Sequence, residues 1–171
     1  MSEEIRPSLL ARLLRACAAT EDAILAILLA GMILLAGAQI VLRNLFGGGL
    51  LWADPMLRVM VLWVGLLGAV AATRDDKQIT VDVLSRLLPP RGRAAGRVVT
   101  DLFTAAVSLF LAYHSARLVV DERAAATIAF GSVPTWVCEL VLPIAFGVIG
   151  VRYVLLAVQH ARDAAAREAD A

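Results

Sequence analysis

Four apolar stretches, each close to the length that crosses a bilayer, fill most of this 171-residue chain and limit what it can fold into. They run over about residues 23–42, 56–73, 98–120 and 137–158. The first is interrupted only by Gln39, the second by Arg58 near its start. At 1.5 Å per helical residue, roughly 20 residues cross a ~30 Å hydrocarbon layer. Lipid offers the backbone no hydrogen-bond partner, so a spanning segment satisfies its own N–H and C=O groups as a helix or joins a closed barrel. A mean hydropathy of +0.79 agrees. The sequence therefore predicts an all-α integral membrane protein with four transmembrane helices. The loops are too short for a soluble domain, which leaves one membrane domain over residues 1–171.

Net charge, formally +1, says little, but its placement says more. Arg6, Arg12 and Arg15 precede span one. Arg74, Lys77, Arg86, Arg91, Arg93 and Arg97 lie in the middle loop, and Arg152, Arg162 and Arg167 near the C-terminus. In a four-span topology these share one side and make up twelve of the sixteen basic residues. Arg43, Arg58, Arg117 and Arg123 belong to the other. The positive-inside rule then puts both termini and the middle loop in the cytoplasm. Lipid headgroups, not nucleic acid, account for the middle loop, whose basic residues are diluted by Asp75, Asp76 and Asp82. Cys17 and Cys138 fall on opposite sides in this topology and form no bridge. The basic–apolar start and Ala36-Gly37-Ala38 imitate a cleavable signal, but the apolar run reaches full spanning length, so an uncleaved first helix is expected.

Residues 1–22 form a cytoplasmic or interfacial segment. From Ser8 to Ala19 it carries leucines at helical spacing opposite Arg12 and Arg15, either as an amphipathic helix in the headgroup plane or as an extension of span one. Ile79, Val81, Val83, Leu84, Leu87 and Leu88 suggest a second short amphipathic helix, ended by Pro89-Pro90. Gly47-Gly48-Gly49 marks a turn, and residues 159–171 form an alanine-rich tail.

Small residues mark contact faces between helices in lipid. They align as Ala23, Ala26, Ala30 and Gly37 on span one, and as Gly65, Gly68, Ala69 and Ala72 on span two. Span three aligns Asp101, Thr104, Ala105, Ser108, Ala112 and Ser115; span four aligns Glu139, Pro143, Gly147, Gly150 and Ala157. These faces either pack against one another or dock a larger membrane partner. Asp101 and Glu139 sit at opposite membrane depths and away from the midplane, where an acid most strongly implies an ion path. Structural pairing is expected instead: Asp101 with Arg152 or Arg74, Glu139 with Arg117, Arg123 or Arg58. His114 and His160 occupy opposite ends of their spans, unlike two axial haem ligands. The sequence carries no Cys/His cluster with metal spacing, phosphate loop or nucleophile motif, so no catalytic role and no cofactor are assigned.

From Arg43 to about Val158 the chain carries an ordered series of short blocks. They are Arg43-Asn44-Leu45-Phe46, Leu51-Trp52-Ala53-Asp54 and Trp63-Val64-Gly65-Leu66-Leu67-Gly68-Ala69. Ile79-Thr80-Val81-Asp82-Val83-Leu84, Leu87-Leu88-Pro89 and Ser132-Val133-Pro134-Thr135-Trp136 follow, with Pro143 and Gly147 beyond. In these the chain resembles the small, DctQ-type permease subunit of tripartite ATP-independent periplasmic (TRAP) transporters. It departs from the pattern at Pro55, where the family usually has a second acid, and at Gln78, where a histidine is common.

The resemblance implies a division of labour. A large permease subunit carries the sodium and substrate sites, a periplasmic binding protein delivers an organic acid, and the small subunit steadies the scaffold in the bacterial inner membrane. Arg43, Trp52, Asp54, Arg58, Asp82, Asp101 and Glu139 are then the candidate assembly residues. Trp52, Asp54 and Arg58 either meet the delivery protein or anchor their helix at the interface. Two rivals stand beside this reading: a self-sufficient proton-coupled exporter working through Glu139, and the membrane anchor of a redox enzyme.

Overall fold

The computed structural model describes the backbone over residues 9–74 and 90–169, and side chains over 16–74 and 96–162. Asp82 and the second amphipathic segment lie outside the described residues. Four helices carry windows long and apolar enough to cross a membrane: Ala16–Phe46, Ala53–Ala72, Gly96–Ala125 and Thr135–Arg162. The chain divides into two compact units, Met1–Ala71 and Ala72–Ala171.

In the first unit, α1 (Leu9–Phe46) runs unbroken for 38 residues, so the leading segment continues span one without a separate interfacial helix. Gly47, at φ +67°, ends it in a left-handed conformation that a side chain would resist. The chain then turns into α2 (Ala53–Ala72). Ala53 N–H donates to Leu50 O at 3.1 Å and Met56 N–H to Trp52 O at 3.2 Å, which starts the helix. Asp54 and Pro55 sit in its first turn, where a carboxylate meets the positive end of the helix dipole and a missing N–H is harmless.

In the second unit, α3 (Pro90–Ala125) and α5 (Val141–Ala169) pack antiparallel. Between them lie β1 (Ile128–Phe130), β2 (Val133–Pro134) and the short α4 (Thr135–Glu139). The strands form an antiparallel hairpin around Gly131, φ +55°, and Thr135 N–H donates to Thr127 O at 3.0 Å. A hairpin of this size is marginal alone; here it is held against α4. Pro143 has no N–H for the Glu139 carbonyl, which loses its i+4 donor, and the helix breaks at Leu140 without reversing. α4 and the start of α5 thus make one interrupted span.

The core of this unit follows the helical period. On α3, Asp101, Ala105, Ser108 and Val119 are buried, with Thr104, Ala112 and Ser115 half-buried between them. On α5 the buried hydrophobic residues are Val141, Ala145, Ile149, Tyr153 and Ala157, four apart throughout, with Gly150 buried beside them. The polar-flecked small face of span three therefore faces α5, as its spacing predicts. Span one behaves differently: Ala23, Ala26, Ala30 and Gly37 are exposed, while Leu25, Leu28, Met32, Leu35 and Gln39 are half-buried. Gln39, on the half-buried side, bonds to the turn leading into α2. At 100° per residue, Ala30 and Gly37 lie about 180–200° from Gln39. Gly65 and Gly68 of α2 also have open space where a Cβ would stand, so the small stripe there is not a close contact.

Candidate functional site

Two polar clusters and one close crossing hold the described helices in register. In the first unit, Gln39 Nε2 donates to Leu50 O at 3.2 Å and to Asp54 Oδ1 at 3.4 Å, while Gln39 Oε1 accepts from Leu50 N–H at 3.1 Å. One amide side chain thus meets both backbone groups of Leu50 and satisfies its N–H, which a turn between two spans would otherwise leave to water or headgroups. A Cβ on Gly49 would sit 2.7 Å from Gln39 Nε2, so glycine makes room for the clamp. The sequence showed Gln39 only as an interruption. Its role needed the turn.

Asp54 is therefore held from α1. Trp52, Asp54 and Arg58 are all exposed, as is Arg43. Asp54 and Arg58 are four apart on α2, so one face of its first turns carries both charges. The four residues form an exposed, charged and aromatic end to the first unit. Such a surface can bind a polar partner or sit among headgroups.

In the second unit, Asp101 Oδ2 lies 2.7 Å from His160 Nδ1, with side-chain exposures of 12% and 18%. An ionised carboxylate only accepts, so Nδ1 carries the proton in this bond. The pair joins the early part of α3 to the late part of α5. Asp101 was expected to meet Arg152 or Arg74, but its partner is His160. Arg152 instead donates from Nη1 to Thr73 Oγ1 at 3.1 Å. Two features place the histidine there: α5 runs on past residue 158, and His160 extends the 149–153–157 face by three residues. That periodicity was legible, but His160 was weighed only against haem ligation, which its position disfavours. His114, the other histidine, stacks among Phe110 and Tyr113, at centroid distances of 4.3 and 5.3 Å.

Midway along this pair, Gly150 is the close approach. A Cβ there would lie 2.8 Å from the Leu109 side chain and 3.3 Å from its backbone N. At the hairpin end, Arg123 Cζ sits 5.6 Å from the Trp136 ring centroid, a cation–π contact, and Thr127 Oγ1 donates to Glu122. Arg123 is thus turned to an aromatic face. Glu139 is half-buried, and its Oε2 is sealed from solvent with no hydrogen-bond partner among the described residues. Within this unit the expected pairing of Glu139 with Arg117 or Arg123 does not form, because α4 points Trp136 at Arg123 and leaves the acid one turn further on. Cys138 beside it is buried and Cys17 is exposed, and neither forms a disulfide among the described residues.

Among the described residues no group of three or more His, Cys, Asp or Glu side chains could hold a metal ion. The polar side chains with assigned contacts mainly tie helices and turns together.

Comparison with known proteins adds the family. Residues 32–163 match the family described as "Tripartite ATP-independent periplasmic transporters, DctQ component". The chain is 27% identical over 139 residues to the ectoine TRAP transporter small permease protein TeaB of Halomonas elongata, covering 78% of this chain and 72% of that one. It is 32% identical to the C4-dicarboxylate TRAP transporter small permease protein DctQ of Vibrio cholerae, over 53% of this chain and 39% of the relative. A third likeness, 30% identical over 45% of this chain, is to the sialic acid TRAP transporter permease protein SiaT of Haemophilus influenzae, and takes up only 12% of that longer polypeptide. With four candidate spans and a match over most of its length, the chain belongs to the DctQ component family of the tripartite ATP-independent periplasmic transporters, as a multi-pass small permease of the bacterial inner membrane.

Proposed function

We propose that this small permease steadies a large permease subunit through sodium-coupled uptake of an organic acid that a periplasmic binding protein delivers. The observation that carries the reading is the family match over residues 32–163. The use of the described polar groups supports it: Gln39 joins α1 to the turn before α2, Asp101 and His160 join α3 to α5, and Arg152 reaches Thr73. Sodium and solute sites then belong to the partner. The relatives named for ectoine, C4-dicarboxylate, sialic acid and isethionate support a small organic solute with an acidic group. The longer sialic acid permease supports a membrane-embedded partner, since a segment like this chain lies within one permease polypeptide.

In this reading both termini and the middle loop are cytoplasmic, which the placement of twelve of the sixteen basic residues favours. The Asp101–His160 pair then lies near the cytoplasm. The Gln39-clamped turn and the β1–β2 hairpin face the periplasm, where Arg43, Trp52, Asp54 and Arg58 can meet the binding protein. Asp82 belongs to the same assembly set. Proteoliposomes test the proposal directly. Uptake is expected only when this chain, the large permease and the binding protein are combined with a sodium gradient. Solute movement by vesicles holding this chain alone refutes the supporting role and revives a self-sufficient transporter.

A further inference from the structure

α5 has two distinct faces. Val141, Ala145, Ile149, Tyr153 and Ala157 are buried in the second unit. About 200° away at 100° per residue runs a second stripe, Glu139, Pro143, Gly147 and Val151. Here lies a shallow, wide-open groove of about 530 Å³, lined by Pro143, Ile144, Gly147, Val148, Val151 and Arg152. Its floor is open: a Cβ on Gly147 would meet nothing within 4 Å, whereas one on Gly150 collides with Leu109. At the head of the same stripe stands Glu139, with Oε2 shut off from solvent and no donor among the described residues. A carboxylate oxygen withdrawn from water needs a donor, most effectively a charged one.

We propose that this groove seats a transmembrane helix of the large permease, which carries a basic side chain into hydrogen-bond reach of Glu139. The inference rests on the partnership proposed above and adds to it the face, the depth and the charge of the contact. Charge complementarity selects the occupant: a lipid tail fills the apolar floor but supplies no donor to Glu139. Proximity favours it as well, because in the sialic acid permease a segment similar to this chain is part of one longer polypeptide. There the two surfaces meet at the effective concentration of a tether.

The test is co-expression of the full chain with its large permease and recovery of the complex in mild detergent. Gly147→Trp fills the groove; Gly37→Trp, where a Cβ likewise meets nothing within 4 Å, fills an exposed position on α1. Gly147→Trp is expected to cut the recovered permease about tenfold and Glu139→Gln several-fold, with Gly37→Trp close to wild type. Each variant must elute as a single species when expressed alone, which separates lost docking from lost folding. A photo-crosslinker at Val151 is expected to label the permease. Wild-type recovery with Gly147→Trp, or labelling confined to lipid or to this chain's own helices, overturns the groove and leaves the partnership standing. Failure of the wild-type chain to recover any permease brings down both.

Discussion

Breaking the Asp101–His160 pair should cost the second unit much of its register at one end, and the size of the effect follows from the geometry. The contact is 2.7 Å with side chains 12% and 18% exposed, so both groups are largely withdrawn from solvent but not sealed. A hydrogen bond to a charged group contributes about 1.5–3 kcal/mol, and orphaning a fully buried charge costs about 3–5 kcal/mol. Residual water access at Asp101 argues for the lower range. His160→Ala is therefore expected to destabilise by about 2 kcal/mol, some 30-fold in the folded-to-unfolded ratio. Asp101→Asn keeps an acceptor for the imidazole N–H and should lose about half as much. The double variant should fall short of the sum by about 1–2 kcal/mol. Unfolding by increasing dodecyl sulfate in mixed micelles, followed by circular dichroism, measures all three. Additivity within about 0.3 kcal/mol would refute a direct pair.

Ala126 closes α3 at φ +50°, a left-handed position where a side chain is disfavoured; Ala126→Gly should stabilise by roughly 0.5–1 kcal/mol, and a lower thermal midpoint in micelles would contradict this. Gly150→Leu should destabilise the chain by about 2 kcal/mol or more through collision with Leu109, whereas Gly147→Leu should leave the isolated chain near wild type. Equal losses in thermal unfolding would show that the crossing is not where the backbones approach. Gly49→Ala should cost about 1 kcal/mol by displacing Gln39, and almost nothing once Gln39→Ala has removed the clamp; a penalty that persists in the double variant would place the strain elsewhere. Cysteines at Gly48 and Ser132 should react with an impermeant maleimide added outside whole cells, and one in the tail should not; the opposite pattern reverses the proposed orientation.

Counting the spans needed nothing beyond the sequence, because lipid forces any long apolar segment to close its own backbone hydrogen bonds. The small face of α3 was equally legible: Asp101, Ala105, Ser108 and Ala112 recur at helical spacing, and burial follows that period. The family resemblance, carried by short blocks from Arg43 to Val158, was also visible in one chain. Other features were not. The β1–β2 hairpin pairs two very short strands, too few residues for a periodic signal, although Gly131-Ser132 between them was a turn cue. Asp101 had basic candidates closer in character than His160, and only the antiparallel pairing of α3 with α5 chose among them.

The rotation of α1 marks the boundary most clearly. Its alanines and glycine form a stripe as regular as that on α3, yet they are exposed, while Gln39 on the opposite side bonds to Leu50. Composition fixed that these segments are helices and cross a bilayer, since solvent acts on each residue independently of where its neighbours in space lie. Which face meets which partner was left to tertiary structure, because a few directional polar contacts at the helix ends outweigh a diffuse preference for small residues.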